Sequence, residues 1–146
     1  MAFPGSAQLD LATAWAGLRA TAGQIKARAQ AVIGVANLSR KETLDHANSL
    51  AFGLGLLDSY TAVPGLAAYA QNQINDPAIN ITAEYTTMRN QIVATQDWLV
   101  ANFPNTAGEL RVYTFDASKR AVDINLTAPQ LTALKNQLTA LVATIN

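Results

Sequence analysis

The chain has 146 residues, half of them hydrophobic, and its ten basic and ten acidic residues cancel to zero net charge. Zero net charge argues against a dedicated nucleic-acid-binding protein, which normally carries a basic face, and the absence of cysteine excludes disulfides and thiolate metal sites. Charged residues make up only 14% of the chain, against about 25% in typical soluble domains. This composition suits either a protein covered by neighbouring subunits or a weakly charged monomer.

The length predicts a single domain spanning residues 1–146, with residues 1–6 as a flexible arm. The longest apolar run covers the eight residues 50–57, whereas a membrane helix needs about 20. A basic patch followed by an apolar core is missing near the first residues, so we expect no signal peptide and no membrane partner. We therefore expect the protein to be made in the cytoplasm.

A stripe of apolar residues at alternating steps of four and three predicts a long first helix over residues 7–38. Half of the stripe is alanine, so a partner helix can approach closely. The stripe consists of Leu11, Trp15, Leu18, Ala22, Ile25, Ala29, Val32 and Ala36. Five cations off the stripe form a mildly basic region, which is either a solvated face or a nucleic-acid surface: Arg19, Lys26, Arg28, Arg40 and Lys41.

A second helix is expected to begin after Ser39, because Glu42 follows three residues later and completes a capping box. Its core stripe is Leu44, Ala47, Leu50, Leu54 and Leu57. The short link between the two helices predicts an antiparallel helical hairpin over residues 7–62. Val63-Pro64-Gly65 breaks the chain, and a short helix over residues 66–74 ends at Asn75-Asp76-Pro77.

A third long helix is predicted over residues 83–102, with Thr82 as its N-cap. Its apolar stripe is Tyr85, Met88, Ile92, Thr95 and Leu99. Phe103-Pro104-Asn105 stops the helix, so the short and long helices together occupy residues 63–109.

The hydrophobic period then changes to two, which predicts a β-hairpin over residues 110–126. A three-residue loop that pairs Asp116 with Arg120 places the aliphatic residues of both strands on one face. The other face carries Arg111, Tyr113 and Phe115, which with Arg120 are the predicted partner contacts. The alternative is that another part of this chain covers the two aromatic rings.

The last helix is predicted over residues 127–146, capped by Thr127 with Gln130 three residues later and Pro129 in the first turn. Its stripe is Leu131, Leu134, Leu138, Leu141 and Ile145, and Lys135 is its only charged residue. An apolar stripe with so little charge around it belongs either to the core or to a subunit interface, and we favour the core.

Catalytic, cofactor and metal sites are not indicated by the sequence, and we expect no enzymatic activity. The single histidine, His46, has no second histidine to share a metal and no evident nucleophile to activate. Paired carboxylates are conceivable, for example Asp58 with Asp76, but nothing in their spacing brings them together. Gly53-Leu54-Gly55 lies inside a predicted helix and lacks the third glycine of a phosphate-binding loop.

The order of features from residue 63 onward resembles small proteins encoded among the structural genes of tailed bacteriophages. The resemblance covers about the last 80 residues. It rests on VPGLAAYAQ at 63–71, Asp76-Pro77, AEY at 83–85, WLVANFP at 98–104, the hairpin with Arg120, and LVATI at 141–145. Those relatives often carry Asp-Gly in the hairpin turn, where this chain has Ser118-Lys119.

The sequence thus predicts a mostly α fold: a helical bundle built on a long N-terminal helical hairpin, with one β-hairpin before the C-terminal helix. The resemblance implies a structural subunit of a phage virion in the neck, tail or baseplate region. Other virion proteins and further copies of the chain would be its partners. The alternatives are a small DNA-associated or regulatory helical protein and a phage assembly chaperone.

Overall fold

A computed structural model describes residues 6–102 and 125–145, and these residues form five α-helices and no strand. The helices are α1 (Ser6–Ile33), α2 (Arg40–Thr61), α3 (Leu66–Ile74), α4 (Ile81–Asn102) and α5 (Ala128–Ala143). The predicted mostly α class is therefore confirmed. The predicted arm, apart from Ser6, and the hairpin up to residue 124 lie outside the described residues.

The first helix ends earlier than the sequence predicts, at Ile33 and not at residue 38. Gly34 closes the last turn by donating its N–H to Gln30 O, and the residues that follow leave the helix. The reason lies in the start of α2, because its N-cap residue Ser39 has an extended backbone. Residues 34–38 therefore form the connection between α1 and α2. Four stripe residues are buried as predicted, namely Leu18, Ala22, Ile25 and Ala29, whereas Ala36 is exposed beyond the helix.

The predicted capping box of α2 is confirmed. Ser39 Oγ accepts the N–H of Glu42 at 3.1 Å, and Glu42 Oε1 accepts the N–H of Ser39 at 3.2 Å. The helix ends at Thr61, and the predicted short helix α3 follows with the expected bounds. Gly65 before α3 and Asn75 after it both have positive φ, the left-handed conformation that glycine and asparagine adopt most readily.

The N-cap predicted for the third long helix is wrong. The helix begins at Ile81, and Asn80 Oδ1 accepts the N–H of Ala83 at 3.1 Å. Asparagine is among the strongest capping residues, and its position three residues before Ala83 suits this bond. Thr82 lies inside the helix. Met88, Ile92, Thr95 and Leu99 are buried as predicted, and the helix ends at Asn102.

The C-terminal helix α5 has the predicted capping box between Thr127 and Gln130. Leu134, Leu138 and Leu141 have no exposed surface, so its seam belongs to the core of a single chain, as favoured from the sequence. Just before the helix, Leu126 donates its N–H to Leu38 O at 2.8 Å, and Asn125 forms an antiparallel bridge with Ser39. The entry to α5 is therefore held against the link between α1 and α2.

The helices pack around one core. The first helix lies against α2 and α5, the fourth lies against the same two helices, and α3 contacts both α1 and α4. The largest side chains without exposed surface come from three helices: Leu44 and Leu57 of α2, Ile92 and Leu99 of α4, and the three leucines of α5.

None of the described helices is by itself long and apolar enough to cross a membrane. Together, α2 and α3 reach the necessary length and composition, but they are bent by 93° at the break between them.

Candidate functional site

An open groove of about 1130 Å³ lies between α1, α3 and the first part of α4. The groove begins where α5 stops, since Thr144 and Ile145 form part of its lining. Along α1 it extends from Lys26 to Trp15, which at 1.5 Å per residue is about 16 Å, or three helical turns. Beyond Thr144 and Ile145, the groove is long enough for a short helix.

Apolar side chains dominate the lining of this groove. They come from α1 (Trp15, Leu18, Ala22), from α3 (Leu66, Ala70, Ile74), from the start of α4 (Ile81, Tyr85, Met88) and from Ile79 and Ile145. Arg19 and Lys26 are its cations on the α1 side, and Glu84 is its acidic residue on the α4 side. The guanidinium carbon of Arg19 lies 5.7 Å from the ring centre of Trp15, within the range of a cation–π contact. An apolar surface with charges on both sides suits an amphipathic helix.

One glutamine holds the loop that forms one end of the groove. The Nε2 of Gln71 donates to Ile79 O at 2.7 Å and to Asp76 O at 3.3 Å, and its Oε1 accepts the N–H of Ile81 at 3.0 Å. These three bonds fix Ile79 and Ile81 where they line the groove. This role is not visible in the sequence, because a helical glutamine before a turn carries no pattern that predicts its partners.

A cluster of three hydrogen-bonded polar side chains connects α4 to α2 beside the groove. Arg89 binds the carboxylate of Asp58 with two nitrogens, at 2.8 and 3.1 Å, and the Tyr85 hydroxyl donates to the same carboxylate at 3.3 Å. The hydrogen bond from Arg89 lowers the pKa of Asp58, while burial is the main cause that raises the pKa of Tyr85. Asp76 accepts the N–H of Ala78 instead. The two aspartates considered as a pair therefore have different partners.

Four of the five cations of the predicted basic region do not share one place in the fold. Arg19 and Lys26 line the groove, whereas Arg28 lies on another side of α1 and donates to Ser49 Oγ of α2. Lys41 forms an ion pair with Asp45 one turn later, at 3.2 Å. A continuous basic face is therefore not formed by these side chains.

The histidine lies in a second, smaller concavity. His46 is 7% exposed, and its Nε2 is buried with no hydrogen-bond partner among the described residues. Burial, aided by the positive charge of Arg28, lowers the pKa of His46 to about 4. Within residues 6–102 and 125–145, His, Asp and Glu side chains form no group of three that could hold a metal ion.

The predicted partner contacts Arg111, Tyr113, Phe115 and Arg120 lie outside the described residues. Two exposed apolar side chains that the sequence analysis did not single out are Phe52 on α2 and Val100 near the end of α4. Both occupy positions off the core stripe of their helices, which is the signal that could have identified them.

Comparisons with protein-family models, with curated proteins and with solved structures find no match for this chain.

Proposed function

We propose that this protein is a structural subunit of a bacteriophage virion, in the neck, tail or baseplate region, and that it acts by protein–protein assembly. The observation that carries the proposal is the apolar groove of about 1130 Å³, which the described residues leave open between α1, α3 and α4. The resemblance of residues 63–145 to small phage structural proteins supplies the biological setting.

The chemistry of the groove favours a helix of another subunit as its occupant. Pockets for small ligands are typically about 300–1,000 Å³ and enclose most of the ligand. This groove is larger, open along one side and about three helical turns long. A partner helix that buries apolar residues against Leu18 and Met88 could place an acidic residue near Arg19 or Lys26 and a basic one near Glu84.

The predicted β-hairpin of residues 110–126 is part of the proposal as a second contact surface. Tyr113 and Phe115 would provide apolar contacts, with Arg111 and Arg120 as their polar neighbours. Contacts of moderate strength suffice in a symmetric assembly, because each subunit is held by several at once. Further copies of this chain and other virion proteins are the proposed partners, without an enzymatic step.

The division of the cations among different parts of the fold gives little support to the DNA-associated alternative. DNA binding needs several cations along one surface, and its affinity falls steeply as the salt concentration rises. An apolar groove would bind its partner with little dependence on salt. Binding to phage DNA that weakens steeply with salt would therefore favour the alternative.

Two helical glycines provide a matched test of the groove. Gly23 lines the groove and Gly55 lies on α2 outside it, and a β-carbon at either position meets no atom within 4 Å. We expect both Gly23→Gln and Gly55→Gln to fold, because glutamine favours a helix over glycine. Only Gly23→Gln should exclude a partner helix and reduce incorporation of the protein into particles.

Mass spectrometry of purified particles measures that incorporation. The unchanged protein and Gly55→Gln should be present in finished virions at equal levels, with Gly23→Gln depleted. Absence of the unchanged protein from finished virions contradicts a structural role and favours the assembly chaperone. Equal incorporation of both variants would show that the groove is not the contact.

A further inference from the structure

The two ends of the groove differ, because the C-terminal end of α5 lies at one of them. Leu126, just before α5, donates to Leu38 O beyond the end of α1. Thr144 and Ile145, just after α5, line the groove beside α1. Helix α5 therefore runs antiparallel to α1, from the link between α1 and α2 toward the groove.

Helix α4 shares the direction of α1. Residues between Ile81 and Met88, at its start, line the groove at which α5 ends, and the helix continues against α2 and α5 to Asn102. Because α4 begins where α5 ends, these two helices are antiparallel. Two parallel helices, α1 and α4, thus border a space that begins at the C-terminal end of α5.

The dipoles of these three helices favour one direction for a helix bound in the groove. A helix carries partial positive charge at its N-terminus and partial negative charge at its C-terminus. The last turn of α5 contains no basic side chain that would offset this negative charge. An occupant that continues the direction of α5 brings its positive end to that site and is antiparallel to both α1 and α4. The reverse direction places two negative ends together.

The charges along α1 support the same direction. Lys26 is the lining residue of α1 closest to the end of α5, because α1 and α5 are antiparallel, and Arg19 lies about 10 Å farther along the helix. A glutamate in the first turn of the occupant could pair with Lys26 and would also suit the positive N-terminus of the occupant itself. Arg19 would lie toward the negative C-terminal end of the occupant.

We propose that the groove binds a helix of a different protein, in the direction that continues α5, and that this helix carries acidic residues in its first turn. Its apolar face packs between α1 and α4, and its acidic first turn lies at Lys26. This inference rests on the proposed function, because it specifies the partner that the same groove takes in the assembly.

The described helices of this chain do not offer such a helix to a second copy. Their apolar stripes are buried in one core, so a helix would have to leave its own core to fill the groove of another copy. The exposed large hydrophobics among the described residues, Phe52 and Val100, lie on different helices. The occupant is therefore assigned to another protein.

A stapled helical peptide of about 11 residues matches the length of the groove and serves as the probe. It carries leucines on one face and glutamates in its first turn, and a nitroxide label is attached to either end in turn. The label at its N-terminus should broaden the amide NMR signals of Thr144 and Ile145. The label at its C-terminus should broaden the indole N–H signal of Trp15 instead. The reversed pattern, or equal broadening from both labels, would overturn the assigned direction.

Two lysine and arginine variants test the acidic first turn. Lys26→Gln should weaken binding of the glutamate peptide by about two- to fivefold, the range expected for a charge at a helix end. A peptide with glutamine in its first turn should bind Lys26→Gln and the unchanged protein equally. Arg28→Gln removes a cation of α1 that contacts Ser49 outside the groove, and it should leave both peptides unaffected. Equal losses in the two variants would contradict the role of Lys26.

The remaining outcomes separate this inference from the proposed function. Failure of both peptides to bind overturns the inference, while the composition of purified particles still decides the structural role. Self-association of the protein that Gly23→Gln abolishes would show that a second copy occupies the groove, which also overturns the inference. Absence of the protein from finished virions, with the peptide bound in the expected direction, would overturn the structural role alone.

Discussion

Gly17 of α1 lies directly against the ring of Tyr60 in α2: a β-carbon at position 17 would be 2.5 Å from the ring carbon Cζ. Such a distance is well below van der Waals contact, so the two helices approach closely because residue 17 has no side chain. The same relationship recurs two turns away, where a β-carbon on Gly53 would be 2.9 Å from the Ile25 side chain. Glycine on each helix thus accommodates a large side chain of the other.

The first prediction concerns Gly17→Ala. Alanine favours the helix by about 1 kcal/mol over glycine, but the methyl group must displace the Tyr60 ring, and overpacking costs about 1–3 kcal/mol. We expect a net decrease of about 1 kcal/mol in the free energy of unfolding, measured by urea titration with far-UV circular dichroism. Gly55→Ala, where the space is open, should increase it by about 0.5–1 kcal/mol.

A double-mutant cycle with Tyr60→Ala tests the cause. Without the ring, the same Gly17→Ala change should stabilise the protein, because only the helix preference remains. A penalty that persists in the Tyr60→Ala background would show that the methyl group meets something other than the ring.

The helices and their buried faces were largely predictable from the sequence. Some helix ends are determined by local hydrogen bonds, so they can be predicted from short stretches of sequence. Examples are the capping boxes at Ser39 and Thr127 and the break at Val63-Pro64-Gly65. The end of α1 was not predictable in this way, because the apolar stripe continues to Ala36 past the point where the chain must turn. The cap of α4 was misassigned because Asn80 and Thr82 are both capping residues two positions apart.

The groove and the side-chain contacts beside it could not be predicted, because they depend on residues that are distant in sequence. Asp58 and Arg89 are 31 residues apart, and nothing in either helix specifies the pairing. The groove is lined by residues of α1, α3 and α4 that are distant in sequence, so no single helix carries a pattern that indicates it.

The second prediction tests the glutamine that holds the groove loop. Gln71→Ala removes three hydrogen bonds and leaves the half-buried N–H of Ile81 without its partner. We expect a loss of about 1–3 kcal/mol in the free energy of unfolding and faster amide exchange at Ile81. Gln73→Ala, an exposed glutamine of the same helix, should change the free energy of unfolding by less than about 0.5 kcal/mol. Equal effects of the two changes would contradict the role assigned to Gln71.

The third prediction distinguishes a core seam from an interface seam in α5. Leu138 has no exposed surface within one chain, so Leu138→Ala should cost about 2–5 kcal/mol through lost burial and the cavity left behind. Because the contact is within one chain, the loss should not depend on protein concentration. A loss that diminishes on dilution would instead place Leu138 between subunits.

The last prediction concerns acid stability and rests on His46. Its pKa is about 4 in the folded protein and 6.5 in the unfolded chain, so between these values the unfolded chain binds a proton that the folded protein does not. The contribution of neutral His46 to the free energy of unfolding is therefore complete above pH 6.5. It decreases as the pH falls toward 4, by roughly 3 kcal/mol in total. Asp58, whose pKa is lowered below 3.8, loses its contribution only at still lower pH.

Urea titrations over this pH range measure how the free energy of unfolding changes with pH. His46→Gln should remove most of the decrease between pH 6.5 and 5, since histidine is the only side chain whose ordinary pKa lies between about 5 and 8 and the chain has one. If the variant and the unchanged protein lose stability in parallel, the pKa of His46 is not lowered in the folded protein.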